Sequence, residues 1–272
     1  MRRCGGRSRA RRDVTSALAV QVGYLARRSA VRTLRQPAGV VFPLLFPVLL
    51  LAVNAGGLRA ETKLPGFPTD SFLAFALAVP FIQGGLFATG NAGIDIAKDV
   101  QTGFLNRLAL TPMRGIALIL GEIGGVMALA VVQALFYLCI GLVFGVRLAS
   151  GVGGAFVLLL LAALIALGFA TFGAFAALRT GSTEAVNGIF PVFFVFLFIS
   201  SMNIPRDLMS VTWFRWFATI NPVSYLIEAV RSLVIVGWDA EALVLGFGCA
   251  ILIIVAGFAL SVAALRERMS RT

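Results

Sequence analysis

Charged residues fall into clusters along the chain, and the stretches that separate them are long and almost wholly apolar. No charge lies between Arg35 and Arg59 or between Asp70 and Asp95, and Gly115 to Val146 carries only Glu122. Leu148 to Leu178, Ala185 to Pro205 and Ala242 to Leu265 carry none. A helix that crosses a bilayer needs about 20 consecutive apolar residues. The gaps therefore predict six transmembrane helices, at about 36-58, 71-94, 115-146, 148-178, 185-205 and 242-265. The third and fourth are long enough to tilt or to run beyond the hydrocarbon. The expected fold is an all-α polytopic membrane protein with a single transmembrane domain over 36-265, a basic tail at 1-35 and a short tail at 266-272.

Residues 206-238 are apolar enough to suggest a seventh span, but Asn221-Pro222 interrupts any helix there. A span would also bury Glu228 and Arg231, and would move the Arg266-Glu267-Arg268 cluster across the membrane. Two short re-entrant helices on the outer side, before the last span, fit better. They would set Trp213, Phe214, Trp216 and Phe217 at the interface and pair Glu228 with Arg231 three residues on.

Composition narrows the function. The chain is 59% apolar and 13% charged, with a mean hydropathy of +0.95; soluble domains average about 45–50% and about 25%. A water-soluble enzyme is excluded. With no histidine, and with Cys4, Cys139 and Cys249 isolated from one another, neither a metal site nor an imidazole-dependent catalyst is expected. Lys63 and Lys98 are the only lysines, and neither follows the glycines of a P-loop. The chain is thus not expected to be an enzyme or to bind a nucleotide itself.

Charge also sets orientation. With both termini inside, the cytoplasmic segments hold 17 Lys and Arg residues and the outer ones 6, the asymmetry of the positive-inside rule. The net charge of +11 then reads as a topology signal and an attraction to anionic lipid; no nucleic-acid partner is expected. The Arg-rich start lacks the uninterrupted apolar core of a cleavable signal. Within residues 14-35, Val20, Tyr24, Val31 and Leu34 recur at helical spacing beside Arg28, Arg32 and Arg35, the pattern of an amphipathic helix in the headgroup plane.

A second cytoplasmic segment, 95-114, joins the second and third spans. Asp95, Lys98 and Asp99 share a helix face, Gly103 permits a bend, Phe104, Leu105 and Leu108 supply apolar knobs, and Thr111-Pro112 ends the helix before Arg114. An acidic edge beside apolar knobs suits docking to another protein. Inside the membrane, Glu122 is expected near the cytoplasmic interface, paired with Arg107 or Arg114. Gln83, Asn91 and Gln133 are expected as interhelical hydrogen-bond partners, and Gly121/Gly125 and Gly141/Gly145 as close-packing faces. Pro43, Pro47 and Pro80 would kink the first two spans. Phe190, Phe194 and Phe198 in the fifth could line an apolar path, a dimer seam or the helix core.

The stretch from Asp99 through Gly103, Arg107, Leu108 and Pro112 to Arg114 resembles the acidic–Gly–Arg-Leu–Thr-Pro signature of type-2 ABC exporter permeases. The stretch Asn221-Pro222 through Tyr225 and Glu228 to Arg231 resembles that family's second signature, before its last span. Six spans, an interfacial helix and a re-entrant segment follow in the family's order, nearest to its daunorubicin-resistance branch. Asp99 stands where the family more often has Glu, and Glu122 where a neutral or basic residue is commoner.

The resemblance implies the transmembrane subunit of an ATP-driven exporter for a hydrophobic or amphipathic compound such as a drug, a glycolipid or a polyketide. Such a subunit sits in a bacterial plasma membrane as a homodimer or heterodimer, above two ATPase subunits that bind ATP and Mg. In that family 95-114 holds the coupling helix. A polysaccharide-exporting permease and an ion-coupled secondary transporter are the alternatives.

Overall fold

A backbone surrounded by hydrocarbon must satisfy its own N–H and C=O groups, and the described part of this chain does so with helices; no strand occurs there. The computed structural model describes residues 23–29, 31, 37–103 and 115–269, with the backbone alone at 37, 38, 115–120, 122 and 269. Helix α1 comprises residues 23–29. It is followed by α2 (Pro37–Gly57), α3 (Phe72–Ala76), α4 (Ala78–Gln101), α5 (Gly115–Val143), α6 (Gly151–Thr180) and α7 (Thr183–Phe198). The last three are α8 (Thr212–Ile220), α9 (Pro222–Arg231) and α10 (Ala240–Met269).

Five helical runs are long and apolar enough to cross a membrane: Gly39–Gly57, Phe72–Gln101, Ile123–Val143, Gly151–Thr180 and Ala240–Arg268. The shorter α7 has 16 residues, a rise of roughly 24 Å against about 30 Å of hydrocarbon. The helices alternate in direction. One end of the bundle, the near end, gathers α1, the ends of α4 and α10, and the α6–α7 turn, as the bonds from Arg28 to Asp99, Gln101 to Gly181 and Arg268 to Leu178 show. The far end gathers the α2–α3 and α5–α6 connections with residues 199–239.

Several helix ends differ from the sequence expectation. Helix α4 runs on to Gln101, so Asp95, Lys98 and Asp99 extend the second span's helix. The expected fifth span, α7, stops at Phe198, well short of 205, where the Asn221 amide donates to the carbonyls of Phe196 and Ile199 at 2.5 and 2.7 Å and so caps the end. Gly145, at φ +88°, turns the chain after α5. Between α8 and α9 the axis bends by 81° at Asn221, where Pro222 opens the new helix and the Asn221 side chain accepts from Val223 N at 3.0 Å.

The core is built on α4, which is buried along most of its length and packs most extensively on α6, then on α5, α7 and α2. Small residues let the α4 and α6 backbones meet. A methyl on Gly85 would stand 2.6 Å from Ile165 Cγ2, one on Gly93 2.9 Å from the Gly173 carbonyl, and one on Gly173 would strike the Thr89 carbonyl. The Thr89 hydroxyl donates to Phe169 O at 3.1 Å across the same seam. A second seam joins α6 to α10, with Gly168 against Ile253 and the Ser261 hydroxyl donating to Thr171 O at 2.7 Å. Of the small-residue pairs expected from sequence, Gly121 receives Leu25 of α1 and Gly141 receives Leu77 at the α3–α4 joint. Gln83 and Gln133 are buried, and Gln83 Oε1 and Gln133 Nε2 have no hydrogen-bond partner among the described residues.

A methyl at Gly173 leaves α4 nowhere to retreat, so Gly173→Ala lowers stability by about 1–3 kcal/mol, the usual range for overpacking. Gly248→Ala, facing open space, serves as the control. Thermal unfolding of the detergent-purified variants reads the difference; equal midpoints would show that the seam is not tight.

Candidate functional site

Three places concentrate the residues that sequence singled out. At the near end Arg28 of α1 grips Asp99 of α4 with both guanidinium arms: Nη2 donates to Oδ1 at 2.9 Å and Nη1 to Oδ2 at 3.1 Å. Asp99 is 4% exposed, so its charge is spent inside the chain and does not face outward. Such forked, charge-assisted pairs fix orientation as well as position. Asp95, one turn earlier, is buried and also engaged. The inward face of α1 is Leu25 and Ser29, while Tyr24 and Val31 are exposed; Val20 and Leu34 of the expected apolar stripe lie outside the described residues. Gly103 takes φ +68° and closes α4 by donating its N–H to Val100 O, the usual role of glycine after a helix. Phe104, Leu105, Arg107, Leu108, Pro112 and Arg114 lie outside the described residues, as does the side chain of Glu122.

Within the bundle, Phe190, Phe194 and Phe198 of α7 form one side of an aromatic ladder whose other members the sequence reading did not name. Ring centroids lie 4.9 Å apart for Phe190–Phe194 and 6.5 Å for Phe194–Phe198. Phe87 of α4 stands 5.2 Å from Phe190, and Phe46 of α2 stands 6.1 Å from Phe87 and 6.3 Å from Phe194. Phe42 stacks on Phe46 at 5.2 Å. The ladder is buried at Phe87 and open at Phe42 and Phe198, which are 55% and 56% exposed. The signal was present as two i, i+4 series, Phe42/Phe46 and Phe190/Phe194/Phe198; what sequence could not give was that α4 inserts Phe87 between them. Pro47 denies Pro43 O its helical donor, and the buried Tyr137 hydroxyl of α5 supplies one.

At the far end the Asn221-Pro222 signature is a joint: Asn221 caps α7 and α9 together, and Tyr225 donates to Thr219 O at 2.8 Å across the bend. Glu228 does not pair with Arg231 as expected. It takes Arg206 at 2.5 Å, and Arg206 also lies over the Tyr225 ring at 4.5 Å. Burial alone would lower the Arg206 pKa, but the Glu228 carboxylate and the Tyr225 hydroxyl beside it raise the value above the ordinary one. Arg231 instead turns inward, donating from Nε to Phe75 O at 3.3 Å and from Nη2 to Ser201 O and Met202 O at 3.1 Å, with its guanidinium 3.5 Å above the Phe75 ring. Among the described residues no cluster of His, Cys, Asp and Glu could hold a metal ion.

The ABC-2 type transporter family model matches residues 20–235, from just before α1 to the turn after α9. A doxorubicin resistance ABC transporter permease protein, DrrC, of Mycobacterium tuberculosis (strain CDC 1551 / Oshkosh) is 26% identical over 235 residues, 86% of this chain and 82% of that protein. Transport permeases called ycf38 from Cyanophora paradoxa and Porphyra purpurea are 25% and 27% identical over 228 and 223 residues. These alignments cover 81% and 78% of this chain, and 77% and 72% of those proteins. With its apolar helices and a family match over most of its length, the chain belongs to the ABC-2 type transporter family, as a multi-pass membrane permease that works with an ABC ATPase subunit.

Proposed function

We propose that the chain is the membrane half of an exporter that moves a hydrophobic or amphipathic compound out of the cytoplasm or the inner leaflet. Two copies, identical or paired with a related chain, would stand above two ATPase subunits that hold ATP and Mg. The aromatic ladder carries this reading. A row of six rings on three helices, closed at Phe87 and open at Phe42 and Phe198, offers a continuous apolar surface to a cargo without hydrogen-bonding demands. The DrrC relative, named for doxorubicin resistance, favours a cargo of that kind. Phe194→Ala or Phe87→Ala should change the preference among hydrophobic cargoes by about an order of magnitude while assembly persists. Unchanged export of several such cargoes by both variants would reduce the rings to packing.

Coupling to the ATPase is assigned to 95-114. The Arg28–Asp99 fork, buried on its Asp99 side, supports a role for Asp99 in setting the angle at which the segment leaves α4, with the apolar Leu108 knob filling the partner's groove. Leu108→Ala with Asp99→Ala should leave the protein inserted and dimeric yet lower copurification of the ATPase. The charge swap Arg28→Asp with Asp99→Arg should recover most of what Asp99→Ala alone loses. Failure of the swap, with normal expression, would point to a direct Asp99 contact with the ATPase instead.

The near end is assigned to the cytoplasm of a bacterial cell, on the Lys and Arg asymmetry, with 206-238 re-entrant from the outside. Cysteines placed at Lys63 and Asp207 should react with an impermeant thiol reagent added to whole cells, and those at Lys98 and Arg268 should not. Labelling at Arg268→Cys would overturn the orientation.

A further inference from the structure

At the far end a cavity of about 460 Å3 opens between the α8–α9 joint, residues 205–207 and the start of α10. Arg206, Arg215 and Arg231 line it with Asp207, Glu228 and Asp239. Three of these six groups are already committed. Arg206 and Glu228 hold each other, and Asp239 Oδ1 accepts the N–H groups of Glu241 and Ala242 at 3.0 and 3.2 Å, capping α10. Three groups are not. Arg231, 7% exposed, uses Nε and Nη2 on backbone carbonyls and leaves Nη1 without an acceptor among the described residues. Arg215 and Asp207, on adjacent elements, have no ion-pair partner among the described residues and do not pair with each other.

The charge left unpaired around this space of ligand size is that of two arginines, Arg215 and Arg231, against two carboxylates, Asp207 and Asp239, whose Oδ2 takes no part in the α10 cap. Its depth is set by α8, whose exposed face is Trp213, Trp216, Phe217 and Ile220, all about half or more exposed, while Arg215 and Thr219 on the other side line the cavity. A short helix with two tryptophans on one face and a cation on the other belongs at headgroup level, beside the acyl chains.

We propose that this cavity binds the headgroup of a zwitterionic phospholipid from the adjoining leaflet. The phosphodiester is held by Arg215 and by the free Nη1 edge of Arg231, the ammonium by Asp207, and the acyl chains lie along the Trp213–Ile220 face. The site is separate from the aromatic ladder and does not depend on the cargo or on the ATPase.

The test uses the full chain, purified and delipidated in detergent, with native mass spectrometry reading lipid adducts against added phosphatidylethanolamine or phosphatidylglycerol. The wild type should retain one ethanolamine lipid in preference to the glycerol lipid. Arg215→Gln should weaken retention of both about tenfold, and Asp207→Asn should erase the preference while leaving phosphate-dependent binding. Both side chains are exposed, so neither change threatens the fold; Lys63→Gln, away from the cavity, should behave as wild type. Equal retention of the two lipids by the wild type, or unaltered retention in both variants, would overturn the proposal. So would equally effective competition by water-soluble glycerophosphoethanolamine, which would make the ligand a soluble phosphate compound and not a membrane lipid.

Discussion

Where a helix in this protein is interrupted, backbone carbonyls are exposed that, in hydrocarbon, have no water to turn to, and at three of the described interruptions a side chain from elsewhere arrives. Tyr137 of α5 serves Pro43 O, orphaned by Pro47 inside α2. Asn221 serves Phe196 O and Ile199 O, where α7 ends early. Arg231 serves Phe75 O near the α3–α4 joint, together with Ser201 O and Met202 O in the irregular stretch after α7. An unserved carbonyl there would cost several kcal/mol, so the broken helices and the polar residues that mend them form one design. This is also why the second signature motif has the residues it has. Asn221 must accept and donate at once, which an amide can do and a carboxylate cannot, and Arg231 must reach three carbonyls from one side chain.

What the sequence made legible follows from how local each signal is. Charge gaps mark spans because a charge is expensive anywhere in a bilayer core, and φ +68° at Gly103 is a property of one residue and its neighbours. The α4 seam was missed for the opposite reason. Gly85, Thr89 and Gly93 sit four apart and could have been read as a small-residue face, but Gly121 and Gly141 offered the same spacing, and only packing decides that the first set meets a backbone while the others receive Leu25 and Leu77.

Ion pairing shows the same limit. Glu228 and Arg231 are three residues apart on a helix and could have paired, yet Arg206, 22 residues away in sequence, takes the carboxylate. Arg231 is drawn off by orphan carbonyls whose positions no local rule gives. Asp99 was legible as part of an acidic edge and of the first signature, but its partner Arg28, 71 residues distant, was not. The far-end cavity had no local signal at all, since its lining is drawn from segments that a bend of 81° brings round on one another.

Helix α4 is the element on which these places converge. Its last turn carries the Asp99 fork, its middle inserts Phe87 into the aromatic ladder, and its N-terminal joint lies against α9 and Arg231. It is held to α6 by a seam of glycines and by a cross-seam hydrogen bond from Thr89. Interlocked large side chains would have to climb over one another if α4 shifted, because packed interiors resist small displacements. At Gly93 and Gly173 the α4 and α6 backbones meet without such knobs, while Ile165 seats in the hollow at Gly85. A rigid helix held in this way carries a displacement along its axis as one body. On the proposed reading, a push delivered at Asp99 through 95-114 would arrive at Phe87 and at the α3–α4 joint as the same movement. The Arg28 fork would then serve to keep α1 in step with it, so that the headgroup-level helix moves with α4 and does not tear away from it.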